Sequence, residues 1–434
     1  MSEVPRVGPM PAGALTSDLM IDATPRVPDS EVSPPPRGIL SITNVFILLF
    51  VAGYFVKAFF LSRDPKGYTT FAAFASYAVR PSTVLLMAAG GSALVLGSSL
   101  GRLGSWTRRP AGHRLVTDQA LLARVGLTLS LLAFLILVRG SGLSPTALRP
   151  FSVETRRALL LQFAGNGPAA IFISMSPFFM VLAWRRNISV VRNFLRPLIA
   201  LNFVALALVG SRLLLLGALA AITIAWALDR PNPPGPGRQT AAVAVVFVLS
   251  GVLGILLFPG QFALTSPSDV VRRVMGTFDM ADSLAIAESR SGRYDGATWV
   301  EDLVITYVPR AIWTSKPFDY GGYRLQEELF PGVAKSVDYV AFYPAGLLGE
   351  SYLNLGALGI VLVPALAGYG LRRLEGLATT PGVGRGMYAF LCTQTLTLLR
   401  SPGQFVAYFL VLLLVVTLSQ MYLGVRSAVV GGPR

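Results

Sequence analysis

"NFLRPLIALNFVALALVGSRLLLLGALAAITIAWAL", residues 193–228, carries no acid and only two basic residues, Arg196 and Arg212. As one helix rising 1.5 Å per residue it would be about 54 Å long, whereas a hydrocarbon core of about 30 Å is crossed by roughly 17–25 residues. The stretch must double back, and Gly210-Ser211-Arg212 is the natural break. A chain that folds back through an apolar medium belongs in a membrane.

The rest of the sequence agrees. Of 434 residues 53% are hydrophobic and 14% charged, with a mean hydropathy of +0.60, far below the charge content of about 25% in ordinary soluble domains. The net charge of +15 comes from arginines beside apolar runs, where they orient helices and meet anionic lipid. They form no nucleic-acid footprint.

Apolar runs of spanning length lie near residues 38–61, 82–100, 120–138, 168–184, 194–210, 213–228, 240–259, 347–371, 386–400 and 403–424. The expected fold is an all-α polytopic membrane protein of about ten transmembrane helices. The last two runs part at "RSPG", residues 400–403, where proline and glycine end a helix. Lys and Arg in the short loops 102–114, 184–196, 229–238 and 372–373 put those loops, and both termini, on the cytoplasmic side.

Five segments follow. Residues 1–37, rich in Pro, Ser and charge, read as a disordered cytoplasmic tail. Residues 38–259 hold seven spans, 260–345 form one large outer loop, 346–425 hold three more spans, and 426–434 close the chain on the cytoplasmic side. The outer loop carries eleven of the 22 acidic residues and is too long and too aromatic for a plain linker.

Familiar chemistry is missing. There is one cysteine, Cys392, and one histidine, His113, so no disulfide framework, zinc site or Ser-His-Asp triad can be assembled. No Walker-type glycine loop occurs. No metal or cofactor is expected.

Arginines, carboxylates and aromatics remain, and the topology gathers them at the outer face. Arg139, with Arg149, Arg156 and Arg157, precedes the fourth span, Arg212 and Arg400 sit at hairpin tips, and Arg290, Arg293, Arg310 and Lys316 lie in the large loop. Guanidinium forks suit phosphate, and a diphosphate offers several oxygens to clamp; snorkelling to the interface is the other reading of any one of them. Only about 20 Å of helix separates Met387 from Arg400, short enough to place Arg400 below the surface. Glu350, in "YPAGLLGESYLNLGALG" (343–359), stands among glycines that permit close helix approach. It is either a general base beside a lipid-facing cavity or one half of an interfacial salt bridge. Asp279, Asp282, Asp295, Asp302 and Asp319 are weaker candidates. Trp313, Tyr307, Tyr320 and Tyr323 offer flat faces for sugar rings or ordinary interfacial anchors.

The stretch "LVITYVPRAIWTSKPFDYGGY" (303–323) contains Pro309-Arg310, Trp313 and Lys316-Pro317. It resembles a segment of the large outer loop in bacterial oligosaccharide repeat-unit polymerases, the O-antigen or exopolysaccharide polymerases of the Wzy type. The Gly210-Ser211-Arg212 break and "GESYLNLGALG" (349–359) are similar to that family too. The resemblance implies a GT-C-like glycosyltransferase of the bacterial cytoplasmic membrane, acting on undecaprenyl-diphosphate-linked oligosaccharides without metal or nucleotide. It further implies membrane lipids as surroundings and a chain-length-regulating copolymerase and a flippase as partners, with no nucleic acid. On that scheme Glu350 and Arg310 are catalytic, Glu350 with Asp319 or Asp302 behind it as base. Arg212, Arg400, Lys316, Arg290 and Arg139 hold the diphosphate, and Trp313, Tyr307, Tyr320 and Tyr323 hold sugar. An O-antigen ligase uses the same donor but is expected to carry a histidine in this loop, which is absent here; a transporter or flippase of lipid-linked sugars is the remaining alternative.

Overall fold

The computed structural model of the chain describes residues 41–64, 79–103, 119–148, 167–184, 189–209, 212–229, 280–290, 292–305, 345–380 and 382–430, with a few isolated positions between them. Among these residues every regular element is a helix. Five helices are long and apolar enough to cross a membrane: α1 (Ile42–Arg63), α2 (Pro81–Leu103), α3 (Gln119–Gly140), α10, which opens the stretch Ala357–Thr379, and α13, whose spanning part is Pro402–Met421. Shorter apolar helices follow α3 as α4 (Gly167–Trp184), α5 (Ser189–Val209) and α6 (Arg212–Leu228). The predicted span at 240–259 lies outside the described residues.

The outward faces show what surrounds the bundle. Leu85, Leu96, Leu135 and Ile136 on α2 and α3 are each more than half exposed, and rows of bare leucine on neighbouring helices suit lipid rather than water. The inward faces pack Phe46, Phe50, Tyr54, Met87, Phe178, Phe179 and Phe390 into one core. The protein is a helical membrane protein. All described residues belong to one compact unit, Pro35–Arg434.

Its tightest seam joins α2 to α10 (Ala357–Leu374). A Cβ on Gly97 would lie 1.9 Å from the Ala365 carbonyl oxygen, and one on Gly368 would lie 2.2 Å from that of Leu94. Only glycine lets the two backbones approach so closely. Gly90 meets Ile360, Gly97 meets Ala365 and Gly101 meets Arg372, so the numbers climb together and the two helices run parallel.

The helix α5 ends at Val209 and α6 begins at Arg212, and α12 (Thr395–Arg400) gives way to α13 (Pro402–Val430) at Ser401, beside the glycine, serine and proline that signalled a stop. Two other breaks differ from the expectation. The run 386–400 is divided at Gln394 into α11 (Val383–Thr393) and α12. The predicted continuous span 347–371 is two helices, α9 (Gly346–Leu355) and α10, because Gly356 adopts φ +64°, a left-handed conformation that glycine takes without a Cβ clash. A Cβ on Gly359 would meet the Ser351 carbonyl at 2.1 Å, so α9 folds back along α10 instead of extending it.

A further short helix, α7 (Met280–Glu288), belongs to the segment expected as an outer loop, yet Met280 through Ala287 are all buried. It runs beside α9 in the same sense, with Gly346 against Met280 and Gly349 against Ser283. At its C-terminal end Glu288 accepts a hydrogen bond from Thr83, near the start of α2. Met280 therefore lies about 12 Å deeper than Glu288 at helical rise. Both helices thus rise from inside the bundle toward one face.

Candidate functional site

Around these two rising helices the polar residues gather. In α1 the segment Val51–Val56 is wound as a π-helix, a form that recurs at functional sites, and Gly53 within it leaves room for the Met280 side chain. One turn on, Lys57 is fully buried and its ammonium lies 3.3 Å from the Asp282 carboxylate of α7, itself only 4% exposed. The Tyr54 hydroxyl accepts the Leu348 backbone N–H at 2.8 Å, satisfying a donor in the first turn of α9 that no helical carbonyl can reach. The first span thereby fastens α7 through charge and α9 through a cap.

Glu350 stands in the second turn of α9, about 9 Å below Gly356 at helical rise, and is 2% exposed. Its helix is fixed on the other side by α8 (Ala297–Ile305). Thr298 donates to the Asn354 side-chain oxygen at 2.9 Å, and the Asn354 amide donates to the Glu350 carbonyl at 2.9 Å. The Tyr294 N–H bonds the Leu353 carbonyl at 3.0 Å. Facing the carboxylate are the Trp299 indole N–H and the Gly403 backbone N–H, with Asp302 near enough for its charge to act on Glu350. Asp302 in turn lies against Gly403 and Gly321, where any Cβ would strike its carboxylate. The Gly321 N–H is held by Glu301 at 2.8 Å, and Glu301 pairs with Arg324 at 2.9 Å.

Both Glu350 Oε1 and Trp299 Nε1 are buried, and the indole N–H faces the carboxylate without reaching full hydrogen-bond geometry. Each unmade bond in such a place costs about 1–3 kcal/mol. An acceptor and a donor left open side by side suit a ligand hydroxyl, which donates to the first and accepts from the second.

Beside this pair begins a groove of about 570 Å³, within the size range of ligand pockets. Trp299 and Gly403 mark one end, α10 and α13 form its walls, and Arg373 marks the other end. Leu366 and Val406, both lining it, are 60% and 40% exposed, so it opens sideways toward lipid.

Of the residues singled out in the sequence, Glu350 and Asp302 meet here. Arg400 ends α12, half-buried, on a helix that packs against α1 and α9. Arg212 is the first residue of α6, whose neighbours are α4 and α11. Arg139 is exposed in the last turn of α3, which packs on α4 and α5, and Arg290 is exposed just past α7. Trp313 is half-buried, with its N–H donated to Ser315 at 3.1 Å. Arg310, Lys316, Tyr307, Tyr320, Tyr323, Asp279 and Asp319 lie outside the described residues.

Two further residues take part without having stood out as site residues in the sequence. Lys57 carries a signal, since an ionisable residue inside an apolar run marks a functional site by default. Trp299 carries none. The Arg293 guanidinium packs against Gly356, whose missing Cβ would lie 2.7 Å from its Cζ, and so covers the turn between α9 and α10.

Comparison with known protein families, curated proteins and solved structures returned no match. The fold and the site define a helical membrane protein with a buried, unbridged acid at the head of an apolar groove.

Proposed function

We propose that this chain is a glycosyltransferase that polymerises undecaprenyl-diphosphate-linked oligosaccharide repeat units at the outer face of the bacterial cytoplasmic membrane. The observation that carries the reading is the open pair formed by Glu350 and Trp299. It has the form of a receptor for an acceptor hydroxyl, held at the mouth of a lipid-facing groove. The hydroxyl oxygen forms a bond to the anomeric carbon of the growing chain while the bond from that carbon to diphosphate breaks. The hydroxyl proton passes to Glu350, within the reach general base catalysis demands. Charge released on the diphosphate is met by fixed cations, and such preorganised electrostatic stabilisation usually contributes more to rate than any other single effect. Arg400, together with Arg310 and Lys316 of the sequence-expected outer loop, takes this role.

A topology of about ten spans in a GT-C-like arrangement goes with this reading. Parallel α2 and α10 require an odd number of crossings between them, and α3 to α6 supply four. Counting the apolar run 240–259 as a fifth span agrees with both termini on one side of the membrane, the cytoplasmic side in this reading.

The test is incubation of the purified full-length protein, in lipid vesicles, with a defined undecaprenyl-diphosphate repeat unit. Linked repeats are expected, and Glu350→Gln is expected to stop them. Movement of the lipid between leaflets without linkage would replace this reading with a transporter. Transfer only onto a lipid A core acceptor would replace it with a ligase.

A further inference from the structure

The helix α8 belongs to the segment expected as an aqueous outer loop, yet it carries its apolar residues on the wrong side for water. Successive helical residues turn by about 100°. Trp299, Val300, Leu303 and Val304 therefore share one face, and Thr298, Glu301, Asp302 and Ile305 share the opposite one. The second face is turned inward, and its polar groups are engaged with the protein. Thr298 donates to Asn354, Glu301 holds the Gly321 N–H and pairs with Arg324, and Asp302 lies against Gly321 and Gly403. The apolar face is turned out. Trp299 and Leu303 line the groove, and Val300 and Val304, one step round the helix, are 61% and 59% exposed. A surface helix in water has the reverse arrangement. A few residues on, Ile312 is 79% exposed, the most exposed large apolar side chain among the described residues. Beside it Trp313 donates its N–H to Ser315, so the one polar atom of the indole is satisfied within the chain and the ring can lie in an apolar layer.

We infer that α8 and the turn at Ile312 and Trp313 form a lipid-contacting surface, and that the bilayer itself is the partner covering Val300, Val304, Ile312 and the Trp313 ring. Exposed apolar surface of this kind marks either a protein or a membrane contact, and continuity decides between them. Through Trp299 and Leu303 the two valines adjoin a groove that opens sideways at Leu366 and Val406, which belong to two spanning helices. One of these, α13, packs directly on α8. The lipid-facing surface of the bundle thus runs on from α10 and α13 to α8. Charge agrees, because both acids of α8 lie on its inward face and oppose no anionic headgroup. Trp313 is then an interfacial anchor of the usual kind. In consequence α8 is a lip of the groove set into the membrane surface, and the pocket of Trp299 and Glu350 behind it opens to lipid. The inference concerns the surroundings of this segment and stands with or without the proposed reaction.

The chain's cysteine content makes the inference testable. Its one cysteine, Cys392, is buried, and Cys392→Ala clears the background for single cysteines at exposed positions: Val300→Cys, Val304→Cys and Ile312→Cys. Gly292→Cys is the control, since Gly292 is exposed and a Cβ there would meet nothing within 4 Å. Each full-length variant, labelled with the fluorophore NBD, would be placed in vesicles of phosphatidylcholine and phosphatidylglycerol. At the three apolar positions the emission is expected to shift to the blue, and quenching by doxyl-labelled phosphatidylcholine to be severalfold stronger than at Gly292. Aqueous iodide should show the opposite order. Iodide quenching at Val300 and Val304 equal to that at Gly292 would return the segment to water and overturn the inference. Protection from both quenchers would overturn it in favour of a protein cover, and loss of that protection on dilution into excess lipid would identify the cover as a second copy. The unmodified chain gives a second reading that needs no variant. A phosphatidylcholine with a diazirine on its acyl chain is expected to crosslink within residues 299–313 as well as on α2 and α3; crosslinks on α2 and α3 alone would also overturn the inference.

Discussion

Asp282 and Glu350 sit on neighbouring parallel helices, both almost wholly buried, and they have been treated in opposite ways. Asp282 faces a fully buried lysine at 3.3 Å. Glu350 makes no ion pair among the described residues. Removing two charges from solvent is expensive unless they meet in good geometry. The lysine therefore makes Asp282 a fastener, inert once made. The acid beside it keeps its capacity to bind, at the expense of stability, as functional groups commonly do.

This contrast can be broken by mutation. The largest effect is expected for Lys57→Ala, which leaves the Asp282 carboxylate buried alone and should lower unfolding free energy by about 3–5 kcal/mol, read as a drop in thermal midpoint in detergent. Lys57→Met with Asp282→Leu should recover most of that loss; failure to recover would show that the pair does more than hold α7. Glu350→Gln should do the opposite: turnover falls by about 10²–10⁴-fold, with the thermal midpoint held or raised. A large fall in stability instead would mean that Glu350 is a fastener too.

Smaller effects come from the glycines that set the two acids side by side. Gly346 has φ +73°, and a Cβ there would lie 3.1 Å from both Met280 and the Tyr54 hydroxyl. Gly346→Ala should cost about 1–2 kcal/mol in the same unfolding assay, through strain and crowding together. Gly349→Ala adds a methyl at ordinary contact distance, 3.5 Å, from the Ser283 backbone. Its expected change is within about 0.5 kcal/mol, and it serves as the control for the others.

The divisions of the bundle were readable where local chemistry marks them. Gly210-Ser211 and Ser401-Pro402 announce themselves because flexible residues and proline interrupt an otherwise uniform apolar run. Gly356 does not, because "LNLGALGIV" keeps its apolar character straight through and only the positive φ, set by packing against Arg293 and Ser351, turns the chain. Glu350 was legible, since an acid among glycines in an apolar run is unusual. Its partner Trp299 was not, because it approaches from a helix some fifty positions earlier. The nine-residue helix α7 escapes for a different reason: counting spans by length assigns any short apolar segment between spans to a loop, and burial of such a helix depends on a socket built by α1, α2 and α9. Lys57 is hidden because averaging hydropathy over a window masks one charge among twenty greasy neighbours.

The Lys57–Asp282 pair also has a history within each molecule. Lys57 enters the membrane with the first span, whereas Asp282 is made some 225 positions later. At synthesis rates of about 5–20 residues per second the lysine waits roughly 10–45 s for its counter-ion. An unpaired lysine near a helix centre raises the cost of insertion by about 2.5–3.5 kcal/mol. During that interval the nascent first helix is held in place by its remaining apolar residues alone, which gives its unbroken run of Ile, Leu, Val and Phe a second purpose: keeping the chain inserted until the fold can neutralise its own charge.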